Sequence, residues 1–260
     1  MSKRMAGIAT LAVLAVLAGC TTTTTTTSTG PAGDTEARPG RLAAADKGDP
    51  ERRAKVRLEL ASAYLSRGQF DTALEEARQA LAAKPDWPDA YSLLALIYAS
   101  QGDNRQAEQS FQRALQLSPQ DGNLMHNYGW YLCQQRRFAD ADRQFQSALA
   151  QPQYRDLART LMAAGVCQAR DNRMAEAERS LARAFELEPA NPAVAYNLSD
   201  LLYRRGDYER ARFYVSRVNA VPDYTNAQSL WLAARIEKRA GNAAGLEDAA
   251  RKLRDRFPQS

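Results

Sequence analysis

The sequence predicts an all-α fold, a solenoid of six helix pairs preceded by a disordered tether. Three observations carry that expectation. Small and helix-breaking residues recur at a fixed interval: Gly68 and Gly102, Pro85 and Pro119, Ala73, Ala107 and Ala141, and Ala80, Ala114 and Ala148 each stand 34 residues apart. Between them, large apolar residues at i, i+3 and i+7 give each segment one apolar stripe at helical period. The chain of 260 residues, with 45% hydrophobic and 25% charged content, is long enough for a repeat array and unlike collagen or a wholly disordered chain.

The first element is a targeting segment. Lys3 and Arg4 precede an uncharged apolar stretch, Ala6 to Ala18, and then Gly19 and Cys20. Basic, apolar and small residues in that order make a secretory signal over residues 1–19. At about 15 residues the apolar stretch is shorter than the ~20 that a spanning helix needs. Leu17-Ala18-Gly19-Cys20 resembles the bacterial lipobox. The resemblance implies cleavage before Cys20 and acylation of its thiol and new amine, and two or more acyl chains anchor a protein stably. Thr21 follows Cys20, in place of the Asp that retains lipoproteins at the enteric inner membrane. The expected location is therefore the outer membrane, lipid-anchored and facing the periplasm.

Residues 20–50 read as the lipidated cysteine and its linker. Thr21 to Thr27 are consecutive threonines, Gly and Pro recur through Pro50, and Leu42 is the one large aliphatic side chain. Such a stretch buries too little surface to offset its ordering entropy. As a coil of ~30 residues it spans about 30 Å, and about 100 Å when extended.

Residues 51–260 hold the repeats. The pattern resembles the tetratricopeptide repeat, and the best copy fills it with Tyr91, Leu94, Ala95, Tyr98, Ala107, Phe111, Ala114 and Pro119. Small residues let the paired helices approach closely, and proline ends the second helix. The first copy carries Leu60, Ala61, Tyr64, Gly68, Ala73 and Ala80, and the third Tyr128, Gly129, Leu132, Ala141, Phe145 and Ala148. The fourth is displaced by two extra residues near Tyr154 and carries Leu161, Ala164, Gly165, Ala177, Leu181 and Ala184. The fifth carries Leu198, Leu202, Gly206, Ala211 and Val215; the sixth is one residue out of phase, with Leu230, Ala233, Ala234, Gly241 and Leu253. The resemblance implies a right-handed superhelix held by nearest-neighbour packing, with a concave face open to a partner. The first repeat is expected to cap itself, and Arg251, Lys252, Arg254 and Arg256 to make the last helix a polar cap.

Function classes fall away on the same residues. Lys and Arg number 35 against 30 Asp and Glu, a formal charge of +5 that drops to +3 without residues 1–19, too mild for a nucleic-acid binder. One histidine and three cysteines do not furnish a zinc site beside a His-based catalytic site. His126 has no Ser or Cys at catalytic spacing, and Glu75, Glu76, Asp140 and Asp142 read as solvated faces of second helices. No catalytic residue, metal, cofactor or small-molecule substrate is expected.

Cys133 and Cys167 fall on first helices of neighbouring repeats. Two readings stay open: a disulfide, if the insertion near Tyr154 turns them toward each other, or two buried thiols. The periplasm permits a bridge, and closing a loop of about 35 residues contributes roughly 3–4 kcal/mol in the chain-entropy model.

Beyond the repeat itself, Asn127-Tyr128-Gly129-Trp130-Tyr131-Leu132-Cys133, Ala164-Gly165-Val166-Cys167, Leu230 to Ile236 and the ending Arg254-Asp255-Arg256-Phe257-Pro258 resemble the type IV pilus biogenesis and stability lipoprotein family, PilF/PilW. Arg136 departs from that family's turn glycine and His126 from its common Asn. The resemblance implies a pilotin: an outer-membrane lipoprotein that binds the pilus secretin and promotes its outer-membrane localisation and multimerisation. It also implies that Cys133 and Cys167 are bonded. In repeats of this type, fixed positions on the first helices line the partner groove. Here those positions hold Leu58, Leu65, Leu96, His126, Trp130, Met162, Arg170, Tyr196, Tyr203, Arg204, Trp231 and Arg235. Aromatic and Arg side chains dominate interface energies, and Trp130, Tyr196, Tyr203 and Trp231 are the expected contacts. The competing expectation is a tetratricopeptide lipoprotein adaptor for enzymes of peptidoglycan synthesis or hydrolysis.

Overall fold

The computed structural model describes residues 49–259. The signal segment, Cys20 and the threonine tract lie outside them. Among the described residues there are twelve helices and no strand. They run α1 Pro50–Ser66, α2 Phe70–Ala83, α3 Pro88–Gln101, α4 Asn104–Leu117, α5 Gly122–Gln134 and α6 Phe138–Leu149. They continue as α7 Leu157–Arg170, α8 Met174–Leu187, α9 Pro192–Arg204, α10 Tyr208–Asn219, α11 Ala227–Arg239 and α12 Ala243–Arg256. Odd and even helices pair to make the six repeats, and each odd helix also packs against the next odd helix, α3 to α5, α5 to α7, and so on.

Local chemistry sets the helix starts. Asp49 accepts from the Glu51 amide and Pro50 sits in the first turn, so α1 begins one residue before the expected boundary. Proline there loses no helical hydrogen bond and has its φ already set. Asp121 and Asn191 cap α5 and α9 through amides in the first turn, and Asn226 forms a capping box with Ser229 on α11.

The turn within each repeat uses one left-handed residue. Four are glycines, while Arg136 at φ 60° and Asn172 at φ 62° take that role in repeats three and four. The spacing from Arg136 to Asn172 carries the two-residue insertion.

The core is built as the spacing predicts. Ala61, Ala73, Ala107, Ala141, Ala177 and Ala211 are wholly buried where paired helices cross, with Phe111, Phe145, Leu181 and Val215 beside them. Two glycines allow paired helices to meet closely: a Cβ on Gly129 would stand 2.9 Å from the Phe145 ring, and one on Gly165 2.7 Å from Leu181 Cγ.

Ion pairs join the repeats in register. Glu108 of α4 takes Arg137, Asp142 of α6 takes Arg173 at 2.6 Å, and Glu178 of α8 takes Arg205 and Arg210. Asp142 and Glu76 were expected on solvated faces. Their side chains are instead largely covered, because an arginine from a neighbouring helix or turn reaches each one.

At the start of the array α1 exposes Glu51, Arg52, Lys55 and Glu59, with Val56 46% and Leu60 39% exposed among them, so its outward face is largely polar with two apolar side chains. The last helix behaves as expected: Arg251 and Lys252 both pair with Asp248, and Ala249 is its one buried residue. Among the described residues no helix is long and apolar enough to cross a membrane.

Candidate partner-binding groove

The odd helices stand side by side, so one face of α3, α5, α7, α9 and α11 forms a continuous wall. Two adjoining hollows follow it. The larger, of about 550 Å³, lies over α3, α5 and α7 and is lined by Leu96, His126, Asn127, Trp130, Arg159, Met162, Ala163, Val166 and Arg170, with Asn197 at its far edge. The second, of about 400 Å³, continues over α7, α9 and α11 past Val166, Arg170, Tyr196, Asn197, Asp200, Arg204 and Arg235. Val166, Arg170 and Asn197 belong to both, which makes the two one groove.

Eight of the twelve residues expected in a groove therefore share it: Leu96, His126, Trp130, Met162, Arg170, Tyr196, Arg204 and Arg235. Tyr203 joins through Arg235, whose Nε donates to its hydroxyl at 3.3 Å and whose guanidinium lies 4.5 Å from its ring centre. Leu58 and Leu65 stay half-buried on α1, where Leu65 packs against the cluster around Ala61 and Ile97. Trp231 stands apart, 58% exposed, in a small apolar hollow with Ala227, Gln228 and Leu253. No further first helix follows α11 among the described residues, so nothing covers it.

His126 has a structural task. It is only 6% exposed, and its Nδ1 lies 2.8 Å from Thr160 Oγ1, which in turn meets the Tyr154 hydroxyl at 2.6 Å. Burial, reinforced by the Arg159 charge and opposed by Asp156, pulls its pKa down to about 4. The imidazole is thus neutral at pH 7 and brings no charge to the groove. Tyr154 belongs to the inserted stretch, and its buried ring fills the space over Gly122, where a Cβ would come within 2.5 Å of it. The insertion is a wedge that fixes α5 against α7.

Between α5 and α7, Cys133 and Cys167 are bonded to one another, both buried, with Cα atoms 5.8 Å apart. That separation falls where disulfides are commonest.

The upper wall is cationic and aromatic. Arg170 lies 5.1 Å from the centre of the Trp130 ring. Arg204 pairs with Asp200 at 2.5 Å, and Arg159 bonds Asn127 Oδ1 at 3.2 Å. Burial and the neighbouring Asp200 push the Tyr196 hydroxyl up, whereas the hydrogen bond from Arg235 pulls that of Tyr203 down. Asn127, Arg159, Val166, Asn197 and Asp200 are groove residues that the sequence reading did not select. A signal existed: Arg159 and Val166 lie three and four residues from Met162, and Asp200 four from Tyr196, on the same helix faces. Among the described residues no cluster of His, Cys, Asp and Glu could hold a metal ion.

Family models of the tetratricopeptide repeat match residues 58–122 and 169–235. The type IV pilus assembly protein PilF of Pseudomonas aeruginosa is 28% identical over 193 residues, covering 74% of this chain and 76% of that protein. The crystal structure of PilW, described as a widely conserved type IV pilus biogenesis factor, superposes with a TM-score of 0.72 at 27% identity, covering 80% of this chain and 94% of PilW. The solved Pseudomonas aeruginosa PilF superposes with a TM-score of 0.68 at 24% identity, over 81% of this chain and 95% of that one, and shares the fold.

Proposed function

We infer that this chain, which belongs to the tetratricopeptide-repeat family of type IV pilus biogenesis proteins, serves pilus assembly as a pilotin that binds the pilus secretin in its groove. The observation that carries the reading is the single groove over α3 to α11, with Trp130, Arg170, Tyr196 and Arg235 along it. Concave faces of stacked repeats capture polypeptide segments, and buried aromatic and Arg anchors supply most of the affinity. In this reading the protein works by binding and performs no chemistry of its own.

The proposal extends to the membrane. Acylated Cys20 would hold the protein in the outer membrane, facing the periplasm, and the linker would let the repeats reach a secretin subunit in transit. The oxidised Cys133–Cys167 pair fits that compartment, where disulfides persist. The bridge would keep α5 and α7, and with them Trp130 and Arg170, at fixed separation.

The test compares secretin in membrane fractions from cells with the gene, without it, and with Cys20→Ala. The proposal expects loss of heat-resistant outer-membrane multimers in the deletion strain and mislocalised secretin with Cys20→Ala. Unchanged secretin in all three strains would remove the pilotin role and favour the peptidoglycan-enzyme adaptor.

A further inference from the structure

The half of the groove over α7, α9 and α11 is unbalanced in charge. Arg170, Arg204 and Arg235 converge on it from successive first helices, with Asp200 as the one carboxylate among its lining residues. Asp200 is committed to Arg204. Neither Arg170 nor Arg235 has a carboxylate within ion-pair distance among the described residues, whereas arginines elsewhere on the repeats form many such pairs. Each is held on an aromatic ring, Arg170 on Trp130 and Arg235 on Tyr203. Arg235 spends its Nε–H on the Tyr203 hydroxyl and keeps its terminal amino groups for a ligand, and a guanidinium laid on a ring face loses little freedom when it binds a carboxylate.

The other half of the groove has a different character. Leu96, Trp130, Met162, Ala163 and Val166 give it an apolar floor, continuous with the arginine half through Val166 and Arg170. A small anion would use one half only. A polypeptide long enough to cross α5 to α11 uses both.

We propose that the groove recognises an acidic peptide segment, seating a large apolar side chain between Trp130 and Met162 and placing carboxylates on Arg170 and Arg235. The proposal rests on the reading of this groove as the partner-docking face and names the chemistry of the segment it takes. Paired guanidinium and carboxylate give register and selectivity, and the apolar hollow gives the anchor.

The test uses the full chain in detergent and the fluorescein-labelled probe Trp-Leu-Ala-Asp-Glu-Ala-Glu-Asp, with a matched probe carrying Asn and Gln in place of Asp and Glu. Anisotropy titrations at low and at physiological salt compare wild type, Arg170→Gln, Arg235→Gln and the double variant. Both arginines are exposed, and circular dichroism checks that each variant folds. The acidic probe is expected to bind at least ten-fold tighter than its amide twin, an advantage that shrinks with salt and falls at least five-fold in the double variant. The amide probe should bind all four proteins alike. Equal binding of the two probes, no binding of either at millimolar concentration, a preference untouched by the double variant, or complete displacement by 10 mM inorganic phosphate would each overturn the proposal. The secretin fractionation is read separately: if secretin depends on the protein while the acidic preference is absent, only the present inference falls. An acidic preference with unchanged secretin would remove the pilotin role alone.

Discussion

Acidification should unlock the contact between repeats three and four through His126. In the folded chain its pKa is about 4, pulled down first by burial and then by the Arg159 charge, against an unfolded value of 6.5. Between these values the unfolded chain binds a proton that the folded chain refuses, so stability is lost as pH falls below 6.5 and the loss levels off below about 4. From pH 7 to pH 4.5 the linkage amounts to about 2–3 kcal/mol, since each tenfold difference in proton affinity between the two states is worth about 1.4 kcal/mol. The cause is local: buried in the His126–Thr160–Tyr154 chain between α5 and α7, the folded imidazole stays neutral while the unfolded one takes up a proton. Urea unfolding followed by circular dichroism at pH 7, 6, 5 and 4.5 reads it, with His126→Asn as the reference. Asn offers a polar group to Thr160 but does not titrate, so its absolute stability matters less than its flatter pH slope. Parallel slopes for the two proteins would refute the reasoning. The Tyr154 hydroxyl does not contribute in this range, because burial pushes its pKa upward from an already alkaline value.

Three further outcomes follow from the geometry. Arg136→Gly relieves a left-handed residue at φ 60° and should raise stability by about 0.5–1 kcal/mol net of glycine's greater unfolded-state freedom, read as a higher urea midpoint. Replacing both Cys133 and Cys167 by Ala opens a loop between residues 34 apart and should lower stability by about 4 kcal/mol in the chain-entropy model, with the same loss on adding reductant to the wild type. Gly165→Ala puts a methyl 2.7 Å from Leu181 Cγ and 3.1 Å from the Ala177 carbonyl, and overpacking there should cost about 1–2 kcal/mol despite alanine's better helix propensity.

Much of the fold was legible because each repeat states it again. Ala107 and Phe111 mark the same crossing as Ala141 and Phe145, and the turn positions at Gly68 and Gly102 announce the ones at Arg136 and Asn172 even where glycine is absent. Periodicity cannot say what sits in an irregular stretch. Tyr154 was visible only as an insertion, and its role as a buried wedge depends on Gly122 and Thr160 from two different helices. His126 falls on a groove position by register, yet Thr160 draws its ring inward. Asp142 looked like one more solvated acid, because the arginine that covers it, Arg173, comes from the next repeat. End effects were the other gap: Trp231 and Leu58 occupy groove positions by count, but α1 and α11 each lack a first-helix neighbour on one side among the described residues.

We propose that the groove over the first helices holds the pilus secretin. The most direct measurement places a photo-crosslinking p-benzoylphenylalanine at position 130 of the full chain in cells, with the same group at Phe213, which is exposed on α10 away from the groove, as the reference. Irradiation is predicted to join secretin to the chain at position 130 and not at position 213. Capture of secretin at position 213 alone, or of a peptidoglycan enzyme at position 130, would contradict it.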